Sequence, residues 1–219
     1  MSRIRKRIGI TQRVIKHPRY NEIMSSLDVN WTEFLLKLGF MPIPLPLVSS
    51  ELVLEQWKML KLDGLILSGG NTLKDYADSE DLNENISLER DAYEFALLKT
   101  AISTSTPVLG ICRGLQVINI YYGGKLIKIR GHSGTRHSLV HGGKDDLLFP
   151  PNEVNSFHDC FVPSQDLGND LIPLAYDEKG YIEAFRHMHE KILAIMWHPE
   201  RELPISKNDC KTIENFFKL

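Results

Sequence analysis

The chain has 219 residues, 42% hydrophobic and 25% charged, with a formal net charge of −2. This length predicts one domain over residues 1–219 with ample core, and the composition excludes a disordered chain. The near-neutral charge excludes nucleic acid as the main partner.

The basic start at Arg3, Arg5, Lys6 and Arg7 reads as a solvated arm. No apolar run has the form of a signal peptide or a membrane span. The three cysteines, Cys112, Cys160 and Cys210, are widely spaced and lack a Cys-x-x-Cys, which predicts a reducing compartment, hence the cytoplasm.

Residues 6–11 (KRIGIT) predict a short buried strand. Apolar residues at 27, 31, 34, 35 and 38 give a helical period that Gly39 ends. The prolines of 40–47 (FMPIPLPL) predict an edge strand or an extended segment. A helix over 51–60 and a buried strand over 62–67 (LDGLIL) lead to Ser68-Gly69-Gly70.

Residues 71–86 are polar, acidic and aperiodic, so they read as a surface loop. Ser87 caps a helix to about residue 102, with apolar residues at 88, 92, 95, 96, 98 and 102. A strand over 107–111 delivers Cys112. The helix over 113–122 is apolar nearly all round, and Gly123-Gly124 stops it. Residues 125–161 show short alternating stretches rich in His and Gly. Strands are predicted at 181–186 and 192–197, then His198-Pro199-Glu200, and a last helix at 208–217.

Strands alternating with helices predict an α/β fold, a mostly parallel central sheet flanked by helices on both faces. Ligands of such sheets bind beyond the carboxyl ends of the strands, where Ser68-Gly69-Gly70, Cys112 and His198-Pro199-Glu200 fall.

Gly110-Ile111-Cys112-Arg113-Gly114 has the spacing of a nucleophile elbow, with small residues two positions either side of the turn. The position also puts the sulfur at a helix N-terminus, which favours thiolate. Alone, this spacing fits a packed core cysteine as well as a nucleophile. His198 at the end of another buried strand adds a base, and Glu200 adds a group to hold its tautomer. Gly69-Gly70 and the N–H of Arg113 supply candidate oxyanion donors.

"VLGICRGLQ", "LSGG" and "AIMWHPE", in this order, resemble the class I glutamine amidotransferase superfamily, over roughly residue 6 to the C-terminus. "ERDAYEFALLKTAI", "GGKLI", "VNSFH" and "GYIEAFRH" resemble its γ-glutamyl-γ-aminobutyrate hydrolase-like branch, the free-standing γ-glutamyl amide hydrolases of peptidase C26 type. The resemblance implies a flavodoxin-like core with a short β extension. It implies Cys112 as nucleophile, His198 as base and Glu200 as orienter, with oxyanion amides from Gly70 and Arg113. Gln116, Asn155, Ser156 and His158 are implied as substrate contacts.

The chain departs from that pattern at Asn71 to Lys74, where the family has Gly-Gly-x-Asp-x-x-Pro, and at Asp159-Cys160, where it often has His-x-Gln. Both lie where a leaving group sits. The basic cluster Lys125, Lys128, Arg130, His132, Arg136 and His137 follows the nucleophile helix. Arginines near a cleft clamp phosphates, so Arg130 and Arg136 point to a nucleotide-linked leaving group. The expected substrate is a small molecule, best a γ-glutamyl nucleotide phosphoramidate (γ-glutamyl-CDP-amidate) used in capsule polysaccharide modification.

The alternatives are a γ-glutamyl-γ-aminobutyrate-type hydrolase, a glutaminase subunit feeding ammonia to a synthase, and a non-enzymatic interaction domain. His132, His137, His141, His187 and His189 match no ligand spacing, so no metal is expected, and no cofactor.

Overall fold

A computed structural model describes residues 5–78, 86–131, 133–143 and 145–218. Five strands run parallel: β1 (Arg7–Ile10), β4 (Met41–Pro44), β5 (Gly64–Leu67), β6 (Val108–Ile111) and β14 (Ile192–Ile195). Their spatial order is β4-β1-β5-β6-β14. In chain order this is 2-1-3-4-5, the flavodoxin-like winding. The proline-rich β4 lies at the edge, where missing N–H donors cost no ladder bonds.

The central strands are apolar on both faces because both are covered. Leu65, Val108 and Ile192 form one row across the sheet, and Ile66, Leu109 and Leu193 the next. The first row packs with Val53 and Trp57 of α2 (Val53–Leu60), Tyr93, Leu97 and Leu98 of α3 (Leu88–Ser103), and Leu115 and Ile118 of α4 (Arg113–Tyr121). The second packs with Trp31, Phe34 and Leu35 of α1 (Asn30–Lys37) and Ile213, Phe216 and Phe217 of α5 (Lys207–Lys218).

Beyond β14 the sheet turns antiparallel, through β13 (Tyr181–His187), β11 (Cys160–Pro163) and β7 (Ile127–Lys128), with β12 (Leu171–Tyr176) and β9 (Val140–His141) joined to β13. This is the β extension, five strands wide among the described residues. β8 (Thr135–Ser138) pairs with β10 (Glu153–Ser156), so the alternating stretches of 125–161 are largely strands. A hairpin of β2 (Arg13–Lys16) and β3 (Ile23–Ser26) follows β1.

One expectation needs correction. The apolar positions 88, 92 and 95 do not make the buried face of α3: Leu88 is half exposed, while Arg90, Tyr93, Glu94, Leu97, Leu98 and Ala101 are buried. Arg90 and Glu94, one helical turn apart, pair at 2.8 Å, and that pairing lets two charged residues face the core.

Candidate active site

The ends of β5, β6 and β14 carry Ser68-Gly69-Gly70, Cys112 and His198 to one place. Cys112 has φ 52° and ψ −105°, a conformation costing roughly 1–3 kcal/mol for a non-glycine residue. The flanking glycines make the turn sterically feasible. A Cβ on Gly114 would lie 2.0 Å from the Leu67 carbonyl oxygen, and one on Gly110 2.8 Å from the Gly114 carbonyl carbon. Only bare backbone lets α4 start this close to β5.

A Cβ on Gly69 would meet His198 Cε1 at 2.6 Å and Cys112 Cβ at 3.5 Å. Gly69, His198 and Cys112 therefore share one small space. His198 Nδ1 lies 2.7 Å from Glu200 Oε1, and Cys112 is a side-chain hydrogen-bonding partner of the same imidazole. Burial opposes charge on His198, but Glu200 and Cys112 outweigh it and push the imidazole up to about 9. The ring stands edge-on to Phe157 at 5.6 Å.

Behind the glycines lies a buried charge cluster that sequence reasoning missed. Arg90 donates to three successive carbonyls, Ser68 at 2.9 Å, Gly69 at 3.1 Å and Gly70 at 2.5 Å. The C=O and N–H of a trans peptide point opposite ways, so anchoring the Gly69 carbonyl turns the Gly70 N–H away from Arg90. The Arg113 guanidinium pairs with Glu94 and Asp91 on α3. Its backbone N–H, at the first position of α4, has no partner within the helix. Burial raises Glu94, but Arg113 and Arg90 hold it below the usual carboxylate range; burial lowers Arg90 to about 10.

A cavity of about 420 Å³ opens above Cys112, within the range of small-molecule sites. Gly70, Arg113, Gln116 and His158 line it, alongside Cys112. Gln116 Nε2 donates to the Cys160 carbonyl at 3.2 Å, and the His158 ring lies 3.6 Å from the buried Glu183. Burial raises Glu183, which is also 3.3 Å from His137.

The other sequence-derived contacts fall elsewhere. Asn155 and Ser156 are buried outside the cavity wall, and Asn155 bonds the backbone of His198. Arg130 and Arg136 do not line the cavity either. Arg130 pairs with Asp78 at 2.7 Å, and Arg136 with Glu153 at 2.5 Å and Glu202 at 3.1 Å. Each guanidinium is drawn to surface carboxylates that the linear sequence does not place beside it.

The cations on the wall are instead Lys128 and, from β2, Arg13 and Lys16. The alternation of Arg13-Val14-Ile15-Lys16, followed by His17-Pro18 and then Ile23-Met24, is a readable hairpin signal. Among the described residues no group of three His, Cys, Asp or Glu has the arrangement of a metal site, and His132 lies outside them.

Sheet order and site together define a class I glutamine amidotransferase-like enzyme. A putative GMP synthase glutaminase-type chain from Thermoplasma acidophilum shares the fold with a TM-score of 0.72 at 20% identity, over 99% of this chain and 94% of that one. The peptidase C26 family profile matches residues 7–200, and the chain belongs to that family, as a hydrolase acting on C–N bonds. It is 34% identical to the γ-glutamyl-CDP-amidate hydrolase of Campylobacter jejuni, over 97% of this chain and 98% of that protein. It is 30% identical to a putative glutamine amidotransferase-like protein of Lactococcus lactis, over 82% of each.

Proposed function

We propose that the protein hydrolyses a γ-glutamyl amide through a glutamyl thioester on Cys112. The observation that carries this reading is the buried sequence Cys112–His198–Glu200 at the cavity floor. The Cys112 thiolate attacks the γ-carbonyl carbon, and the N–H groups of Gly70 and Arg113 take the developing oxyanion. His198 gives its proton to the leaving nitrogen, the C–N bond breaks, and the glutamyl group stays on sulfur. His198 then takes a proton from water, whose oxygen attacks the thioester. The C–S bond breaks, glutamate leaves, and thiolate and imidazolium are restored. Glu200 stabilises the imidazolium throughout without transferring a proton.

The substrate we propose is a γ-glutamyl nucleotide phosphoramidate of the γ-glutamyl-CDP-amidate type, cleaved to glutamate and a cytidine diphosphoramidate for capsule polysaccharide modification. The Campylobacter jejuni relative, matched along nearly its whole length, supports this choice. The test compares kcat/KM for γ-glutamyl-CDP-amidate with that for γ-glutamyl-γ-aminobutyrate, reading glutamate release from the purified chain alone. Preference for the nucleotide compound is expected. Equal or better turnover of the aminobutyrate compound overturns the substrate reading. Activity that waits for a synthase partner favours a glutaminase role feeding ammonia to that partner.

A further inference from the structure

We infer that strand β2 forms a phosphate-binding wall of this site, in which Arg13 and Lys16 take the phosphates of an anionic leaving group and Asn71 fixes the strand in place. The inference deepens the proposed γ-glutamyl hydrolase reading and rests on it for the identity of the reacting amide.

All four residues of β2 line the cavity above Cys112. Arg13 and Lys16 are exposed there, and neither is ion-paired with a carboxylate among the described residues. The other basic side chains nearby are engaged: Lys128 and Arg130 share Asp78, at 2.9 and 2.7 Å, and Arg136 is spent on Glu153 and Glu202. Two cations facing a reaction cavity without acidic partners suit an anion, and they repel a cationic amine.

The strand is held at a defined place. Asn71 Oδ1 accepts from the Val14 N–H at 2.8 Å, and its Nδ2 donates to the Val14 carbonyl at 2.9 Å. Arg90 donates to the same Oδ1 at 3.0 Å, so the guanidinium that gathers the Gly69 and Gly70 carbonyls also fixes Asn71. Asn71 sits at φ 60°, a left-handed conformation that asparagine tolerates better than most residues. This is one of the positions where the chain departs from the family pattern.

The aliphatic stem of Arg13 lies against Gly70, where an added Cβ would meet Arg13 Cβ at 3.1 Å and Cδ at 3.0 Å. Arg13 thus starts beside the proposed oxyanion donor, and its guanidinium reaches the region occupied by groups attached to the scissile nitrogen. A planar fork suits bidentate phosphate contact, and Lys16, three residues on, adds a point charge for a neighbouring phosphate. Together they select a diphosphate-bearing amidate over an uncharged amine.

The experiment uses Arg13→Met, Lys16→Met and the double variant, in which an unbranched apolar chain replaces each cationic one. Calorimetry measures CDP binding, and kinetics compares γ-glutamyl-CDP-amidate with uncharged γ-glutamyl methylamide. Each substitution is expected to raise the Kd for CDP roughly 10- to 100-fold. The kcat/KM ratio of amidate over methylamide is expected to fall by a similar factor. Unchanged CDP affinity in the double variant, or parallel loss on both substrates, overturns the inference. If the wild type binds CDP through these residues yet leaves the amidate uncleaved, the substrate reading falls and the anion site stands. If it cleaves the amidate and the variants match it, the reverse holds.

Discussion

Asn155 grips the backbone of His198 at both polar groups: its Oδ1 accepts from the His198 N–H at 2.9 Å, and its Nδ2 donates to the His198 carbonyl at 2.8 Å. The residue sets where the imidazole stands without facing the cavity. Asn155→Asp keeps the size but places an oxygen against that carbonyl. We expect kcat to fall about tenfold or more with KM little changed, because small displacements of a reacting group are costly. A substrate contact would instead raise KM, and steady-state kinetics on γ-glutamyl substrates separates the two.

His198 is pushed up to about 9 by Glu200 and Cys112, against the opposing effect of burial. A folded-state value above the unfolded one contributes stability that is complete below the unfolded value near 6.5 and is lost as pH rises through about 9. The same deprotonation removes the acid needed by the leaving nitrogen. The pH profile of kcat/KM should therefore fall on an alkaline limb near 9, as a property of the coupled pair. In Glu200→Gln that limb should move to lower pH. An unmoved limb would show that Glu200 does not hold the imidazolium.

Glu94 and Arg90 are fully buried, and Glu94 is also the partner of Arg113. Glu94→Gln leaves two guanidinium groups underpaired in the interior, for which about 3 kcal/mol or more of lost stability is expected. By contrast the Arg7–Asp63 pair is 3.9 Å apart with both side chains 43% exposed, and Asp63→Asn should cost under about 1 kcal/mol. Urea unfolding of both variants checks the contrast. Equal effects would mean that the cluster is not what holds the glycine loop to α3.

Asp209 is pushed up to about 6 by burial, although the Trp197 indole N–H donates to it at 3.0 Å. Its contribution to stability is full below the ordinary value near 3.8 and is lost as pH rises through about 6. Asp209→Asn keeps an acceptor for Trp197 and cannot ionise. Its Tm relative to wild type should improve between about pH 5 and pH 8, by an amount on the order of 1–2 kcal/mol. A constant difference across that range would contradict this.

The elements legible in the sequence are those whose signal is local. Gly110 and Gly114 announce the elbow because the close approach of β5 and α4 tolerates no side chain at either position. The apolar runs at β5, β6 and β14 announce buried parallel strands. Arg90 and Glu94 are not legible, because their burial depends on each other and on carbonyls twenty or more residues away. Arg130 and Arg136 look like clamps in a linear basic cluster, but Asp78, Glu153 and Glu202 reach them only in the fold. Arg13 and Lys16 come to the cavity through Asn71, a contact across 57 residues that no periodicity encodes.

The most direct test of the account is intact-protein and peptide mass spectrometry after rapid quenching with a slowly hydrolysed γ-glutamyl amide. The account predicts a glutamyl adduct on the peptide containing Cys112, accumulating in the wild type and absent in Cys112→Ala, which should also release no glutamate. An adduct on Cys160 or Cys210, or glutamate release persisting in Cys112→Ala, would contradict it.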